Sequence, residues 1–193
     1  MSLYPLMVLL HITAAVLLLS TSIVGEPLVR AASRRTGSVG DLRAFLELGR
    51  PMARLAPPAA LAVLAAGVYL ATAGRFWTLG WDLVSTALWV VNSVIAPAVV
   101  RPAVGRVEAG AAAATDPAVG PDLDDLRWAK GWSWGVDVVA ANDVIMLAIM
   151  TLKPSLGGSI LLALLANGAL AAGRLALGLQ GPRARPVGVA PGA

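Results

Sequence analysis

Five long apolar runs divide the chain, and shorter segments that hold most of its charge separate them. The runs lie near residues 3–24, 52–73, 79–104, 134–152 and 156–179. A hydrocarbon core of about 30 Å is crossed by roughly 20 helical residues, which is close to the length of each run. Because backbone groups in lipid must be hydrogen-bonded within the chain, each run is predicted to be a helix. The pattern therefore predicts an all-α bundle with five membrane spans.

The composition agrees with a chain that lies in a lipid bilayer. Hydrophobic residues make up 58% and charged residues 13%, and the mean hydropathy is +0.76. A soluble domain would carry about 25% charged residues. We expect one bundle over residues 1–180, followed by a disordered cytoplasmic tail at 181–193, which is rich in Pro, Gly and Arg.

The basic residues predict the orientation of the bundle. Lys and Arg number none, six, one, four, one and three in the successive segments before, between and after the runs, when Arg54, Arg101 and Arg174 at the run ends are counted with the adjoining segment. Cytoplasmic loops carry the excess of these residues, so the N-terminus is predicted to lie outside and the C-terminus in the cytoplasm. Because the basic residues follow this topology, the net charge of +4 does not indicate a nucleic-acid partner.

Other patterns predict contacts at the membrane surface and between helices. The stretch from Asp41 to Arg50 has one apolar stripe and reads as a short helix in the headgroup region, its arginines near anionic lipid. Tryptophans at the span ends are typical interface anchors; they are Trp77, Trp81, Trp128, Trp132 and Trp134. Pro97 is expected to disturb the third helix. Small residues such as Gly168 and Ala172 in the fifth run favour a homo-oligomer.

Polar side chains inside the apolar runs are the candidate functional residues. A charged side chain at the bilayer centre costs roughly 3 kcal/mol, so it normally faces a protein interior and has a partner. Four of the five runs place a polar residue at mid-depth, and Asn142 lies beside one of them, Asp143. Together these residues form a predicted relay or binding layer. The layer comprises His11, Asn92, Asn142, Asp143 and Asn167. Asparagines at such positions also serve as simple helix–helix contacts, and a lone histidine often only packs.

Asp137 and Arg174 are predicted to form a structural ion pair nearer the cytoplasmic side. Asp137 precedes Asp143 by six residues, so the two carboxyl groups point about 120° apart and cannot share a proton. The chain has no cysteine and one histidine, which excludes disulfides, thiolate sites and sites with two histidine ligands. No metal site and no complete catalytic motif is present, so a non-enzymatic role is favoured.

Two stretches resemble a known family. They are LLHITAAVLLLSTSIVGEPLVR, which covers the first run, and MLAIMTLKP, which ends the fourth. Together they resemble a family of small bacterial predicted integral membrane proteins of unknown function, which implies the bacterial cytoplasmic membrane. The LH pattern is also similar to the copper-resistance D proteins and to the HemJ-type protoporphyrinogen oxidase. That second likeness implies that His11 is a haem- or porphyrin-related residue.

Three functions follow from these patterns. The leading prediction is a small transporter or channel-like protein that moves protons or a small solute through the polar layer, with Asp143 as the acceptor and His11 as its partner. The alternative is a haem-, quinone- or porphyrin-linked redox protein that uses His11. A third interpretation is a non-catalytic membrane assembly factor, in which the polar layer only fixes the helix register.

Overall fold

The fold is known from a computed structural model, which describes residues 3–176, and helices account for most of them. The helices are α1 (Leu3–Arg35), α2 (Val39–Ala73), α3 (Gly80–Ala113), the short α4 (Pro121–Arg127), α5 (Lys130–Leu152) and α6 (Leu156–Ala176). Within the described residues there is no strand, only an isolated bridge between Ser38 and Ala118. Five helices, with α4 and α5 taken together, are long and apolar enough to cross a membrane. The predicted all-α five-span bundle is confirmed; the tail at 181–193 lies outside the described residues.

Short connections make consecutive long helices antiparallel, which gives the bundle two ends. We call the end with residues 36–38 and 114–120 the basic end, and the end with residues 74–79 and 153–155 the loop end. Helix α1 packs along α2, and α5 packs against both α3 and α6. Many large apolar side chains remain on the outside, as expected for a surface that faces lipid.

The helices extend further at the basic end than the apolar runs predict. Residues Asp41 to Arg50 are the first turns of α2 and do not form a separate interfacial helix. The apolar stripe of this stretch is buried, because Leu42 packs with Val107 of α3 and Trp132 of α5 in one core cluster. Trp132 is therefore a core residue instead of the predicted interface anchor. The prediction of an interfacial helix was wrong because an apolar stripe on a helix can pack against a neighbouring helix as well as against lipid.

Two short π-helical segments interrupt α1 and α3. The segment Ala96–Val100 contains Pro97, which has no N–H to donate, so the predicted disturbance of this helix takes this form. The segment Ser20–Gly25 lies in α1, where hydroxyl groups bond to carbonyls one turn back. Ser20 Oγ, for example, donates to Val16 O at 2.7 Å. Such bonds compete with the helical ladder and often bend a helix.

Gly80 allows the start of α3 to approach the start of α6. A Cβ at this position would overlap the backbone of Leu156, whereas a Cβ at Gly157 would meet no atom. We expect Gly80→Ala to lower the free energy of unfolding by about 1–3 kcal/mol, and Gly157→Ala to change it by less than about 0.5 kcal/mol. Unfolding by a denaturing detergent measures both variants. Equal stabilities would contradict this close approach.

Candidate functional site

The carboxylate of Asp143 is buried in the middle of the bundle, where α5 faces α1 and α3. Its residue is 3% exposed. Asp143 Oδ1 accepts a hydrogen bond of 2.8 Å from Asn92 Nδ2 of α3, and Oδ2 accepts one from Ser22 Oγ of α1. The π-helical segment of α1 contains Ser22. Of the partners proposed from sequence, Asn92 hydrogen-bonds to Asp143, whereas His11 bonds to a backbone carbonyl instead.

Three asparagines continue from Asp143 as a ladder of side-chain hydrogen bonds. Asn142 Nδ2 donates to Asn92 Oδ1 at 2.9 Å, and Asn167 Nδ2 donates to Asn142 Oδ1 at 3.0 Å. A carboxylate only accepts hydrogen bonds, so Asp143 requires the amide nitrogen of Asn92 to face it, and each later amide is then oriented in turn. The ladder thus links α6, α5 and α3 and fixes the position of Asp143, since hydrogen bonds in a chain strengthen one another.

His11 lies on α1 and faces α2. Its Nδ1 is 3.0 Å from the carbonyl oxygen of Val63. A carbonyl only accepts, so Nδ1 carries the proton, and in the neutral ring Nε2 is left with the lone pair. His11 is only partly buried. The imidazole is therefore held by the backbone while its second nitrogen can accept a proton.

A cavity of about 140 Å³ lies between α1, α2, α3 and α5, and it brings His11 and Asp143 together. Most of its lining is apolar, but Asp82 and Ser85 of α3 also border it. Among the described residues, Asp82 Oδ2 and Ser85 Oγ are buried and have no hydrogen-bond partner. The cavity thus joins three ionisable side chains, His11, Asp82 and Asp143, to an unsatisfied hydroxyl.

Asp82 and Ser85 were not among the residues predicted for the site. A signal was present, because Asp82, Ser85, Trp89 and Asn92 follow one another at intervals of three and four residues along α3. Residues at that spacing share one face of a helix. Ser22 was missed as well, because its position depends on the π-helical segment of α1.

A second polar cluster lies between the mid-membrane ladder and the basic end. Asp137 of α5 forms ion pairs with Arg174 of α6, as the sequence predicted, and with Arg30 of α1. Both arginines also donate to the carbonyl oxygen of Ser133, at 2.6 Å from Arg30 and 3.0 Å from Arg174. Sequence reasoning missed Arg30 because α1 continues past the predicted end of the first span.

Arg34 completes this cluster without an ion pair in the described part of the chain. Its guanidinium carbon lies 4.3 Å from the ring centroid of Trp128, and its side chain donates to Ser133 Oγ and to the carbonyl oxygen of Arg127. Arg174 stacks on Trp134 in the same way, at 4.7 Å. These two tryptophans therefore support buried cations, in addition to lying near span ends.

The chemistry available at the cavity is that of proton or cation binding. Two carboxyl groups and an imidazole line it, and Trp77 and Trp89 offer aromatic faces, which attract cations. No group of three or more His, Cys, Asp or Glu side chains within residues 3–176 has the geometry of a metal site. The arrangement can thus accept protons or hydrogen-bond donors.

The fold and the buried polar clusters define a multi-pass integral membrane protein. Residues 5–154 match the family described as predicted integral membrane protein (DUF2269), and the chain belongs to this family. No curated protein and no solved structure matches the chain. The predicted membership of a family of integral membrane proteins is confirmed, whereas the likeness to the copper-resistance D and HemJ-type proteins stays a prediction.

Proposed function

We propose that this protein transports protons or a small cationic solute across the membrane through the cavity beside Asp143. The observation that carries this proposal is the meeting of His11, Asp82 and Asp143, from three helices, at one small cavity in an otherwise apolar part of the bundle. Ionisable groups in such surroundings are costly, and in membrane proteins they mark ion and proton pathways. A chain that needed only stable packing would lose little by replacing them with apolar residues.

Asp143 is the acceptor in this proposal, and the ladder holds it in place. Asn92 and Ser22 bind one carboxylate oxygen each, so hydrogen bonds from α3 and α1 orient the side chain. Asp82 lies nearer the loop end of α3 and His11 lies across the cavity on α1, so each offers a further position for a proton or cation. His11 is suited to this role because its Nδ1 is bound to the Val63 carbonyl, which leaves the Nε2 lone pair as an acceptor.

The size of the cavity favours a small solute. Sites for drug-sized ligands measure roughly 300–1,000 Å³, and this cavity measures about 140 Å³. A porphyrin would not fit without displacement of the helices, so no observation favours the haem-, quinone- or porphyrin-linked alternative. The assembly-factor alternative makes a different prediction, because it expects the ladder to affect stability and nothing else.

Three finer features accompany the proposal. We infer from the distribution of Arg and Lys that the basic end faces the cytoplasm of a bacterial inner membrane, with the N-terminus outside. A homo-oligomer is supported by Gly168 and Ala172 on α6, which are four residues apart and exposed; an added Cβ at Gly168 would meet nothing in the protomer. Anionic headgroups near Arg50 and Arg54 are supported only by the charge of this segment.

The proposal is tested by measuring charge movement on a solid-supported membrane that carries purified protein in liposomes. We expect a jump in proton concentration, or in methylammonium as a small cationic probe, to give a transient current that protein-free liposomes do not show. Currents that saturate with the probe would support a binding step in the cavity. Wild-type protein that moves no charge with either probe would contradict the proposal.

A further inference from the structure

A second cavity, separate from the one beside Asp143, opens between α1, α5 and α6. Its volume is about 370 Å³, and Asp137 is the one residue in its lining that is not apolar. Ile23, Val144 and Leu170 represent the three helices that form it. It is shallow and adjoins an apolar outer surface, where Val144 is 50% exposed and Leu165 of α6 is 62% exposed. We call it the lateral groove.

The basic end of the lateral groove meets Arg30 and Arg174, and Arg34 lies one turn beyond Arg30 on α1. All three arginines hydrogen-bond to Ser133, and we call them the arginine cluster. Ile23 of the groove precedes Arg30 on α1, and Leu170 of the groove precedes Arg174 on α6 by one turn. Asp137 belongs to both features, since it lines the groove and forms ion pairs with Arg30 and Arg174. The apolar lateral groove thus leads to the arginine cluster.

The charges of the arginine cluster do not balance among the described residues. Asp137 is the carboxylate that pairs with it, and Glu26, one turn before Arg30, also acts on Arg30 electrostatically. Arg30 and Arg174 thus share one carboxylate, that of Asp137. Arg34 makes no ion pair in residues 3–176, and the charges of Arg30 and Arg174 act on it. The site as it stands would be stabilised by an added anion.

We propose that the lateral groove and the arginine cluster bind one anionic phospholipid, with an acyl chain in the groove and the phosphate at Arg34 and Arg30. Guanidinium groups present planar, paired donors that match phosphate oxygens. Basic pockets between membrane helices bind anionic headgroups in the same way. The proposal rests on residues outside the cavity beside Asp143, so it does not depend on the transport function.

The apolar groove is the reason for choosing a lipid over a free anion. A soluble phosphate would be bound by the guanidinium groups alone. It would make no contact with Ile23, Val144 and Leu170 in the apolar groove. A phospholipid would occupy both parts at once, with an acyl chain in the lateral groove and its phosphate at the arginine cluster. Binding should therefore depend on the charge of the headgroup and on the free space of the groove.

Native mass spectrometry of the purified protein with phosphatidylglycerol or phosphatidylcholine tests the proposal. We expect one phosphatidylglycerol to be retained per protomer, with an apparent affinity at least about tenfold higher than that of phosphatidylcholine. Thermal unfolding should agree, because a ligand that binds only the folded state raises the midpoint. Inorganic phosphate added in detergent should raise the midpoint much less.

Substitutions in two places distinguish recognition of the lipid headgroup from binding of the acyl chain. Arg34→Gln removes a guanidinium that has no ion pair in the described residues and should weaken phosphatidylglycerol binding about tenfold. Arg35→Gln, the exposed neighbour, should leave it within about twofold. Ala166→Phe adds a ring to the lining of the lateral groove and should also weaken binding, without any change in charge.

Three outcomes would overturn the proposal. Equal affinity for the two lipids would show that the headgroup charge is not recognised, and this comparison needs only the wild-type protein. Equal losses in Arg34→Gln and Arg35→Gln would place the anion elsewhere on the basic end. Stabilisation by inorganic phosphate equal to that by phosphatidylglycerol, together with unchanged binding in Ala166→Phe, would assign the cluster to a free anion.

Discussion

Replacing Asp137 by asparagine is expected to lower the free energy of unfolding by about 3 kcal/mol. The substitution removes the carboxylate that pairs with both Arg30 and Arg174, whose side chains are 13% and 6% exposed. Removal of one partner from a buried ion pair typically costs 3–5 kcal/mol, because the other charge is left without compensation. In this case two guanidinium groups lose the same carboxylate at once. Unfolding by a denaturing detergent, in a neutral lipid background, measures the loss.

A double variant tests whether the ion pair is the cause. The double variant Arg30→Gln/Asp137→Asn also removes one of the two guanidinium groups that Asp137 neutralises. Its free energy of unfolding should therefore be at least about 1 kcal/mol higher than the sum of the two single losses predicts. Asp122→Asn, an exposed aspartate of α4, serves as the control and should change stability by less than about 0.5 kcal/mol. Additive losses would show that Asp137 acts through some contact other than Arg30.

Replacing Asp143 by asparagine is expected to reduce the transport current about 100-fold. Proton transfer by a positioned side chain typically contributes 10²- to 10⁴-fold, and asparagine has the shape of aspartate but cannot carry a proton or a negative charge. Its amide oxygen can still accept from Asn92 while its amide nitrogen donates to Ser22 Oγ, so the ladder keeps its contacts. We therefore expect the thermal midpoint to fall by only a few degrees, for a loss of roughly 1 kcal/mol.

The same measurement separates transport from the assembly-factor alternative. Asn167→Ala removes the far end of the ladder and should lower stability while most of the current remains. If Asp143→Asn keeps the full current, or if Asp143→Asn and Asn167→Ala lose current only in proportion to their loss of stability, the ladder is a packing feature. A current lost in Asp143→Asn but kept in Asp122→Asn supports the proposed role.

The five-helix bundle was predictable because it follows from local properties of the chain. Runs of about 20 apolar residues form helices in lipid wherever they occur, so the pattern needs no knowledge of tertiary contacts. The helix ends were less predictable. Leu42 and Leu46 lie on a stripe that fits a membrane surface, but the residues that bury it, such as Val107, are distant in sequence. Burial of this kind depends on which helices become neighbours.

The candidate site was predictable in part for the same reason. Asn92, Asn142, Asp143 and Asn167 lie at similar depth on three helices, so their proximity followed from helix length alone. His11 has the right depth too, but its direction depends on the packing of α1 against α2, which brings it to the Val63 carbonyl. The rotation of a helix about its axis depends on the helices packed against it. The depth of a residue in the membrane is therefore easier to predict from sequence than the residues that it contacts.

The most direct test of the account is the accessibility of two engineered cysteines on α5. Met146 lines the cavity beside Asp143, whereas Val144 lies at nearly the same depth, lines the lateral groove and is 50% exposed. The natural chain has no cysteine, so a small cationic methanethiosulfonate reagent has no other target. We expect the reagent, added from the loop end, to modify Met146→Cys with a loss of current and to leave Val144→Cys unmodified. Faster modification of Val144→Cys, or modification of Met146→Cys without loss of current, would show that the cavity is not the path.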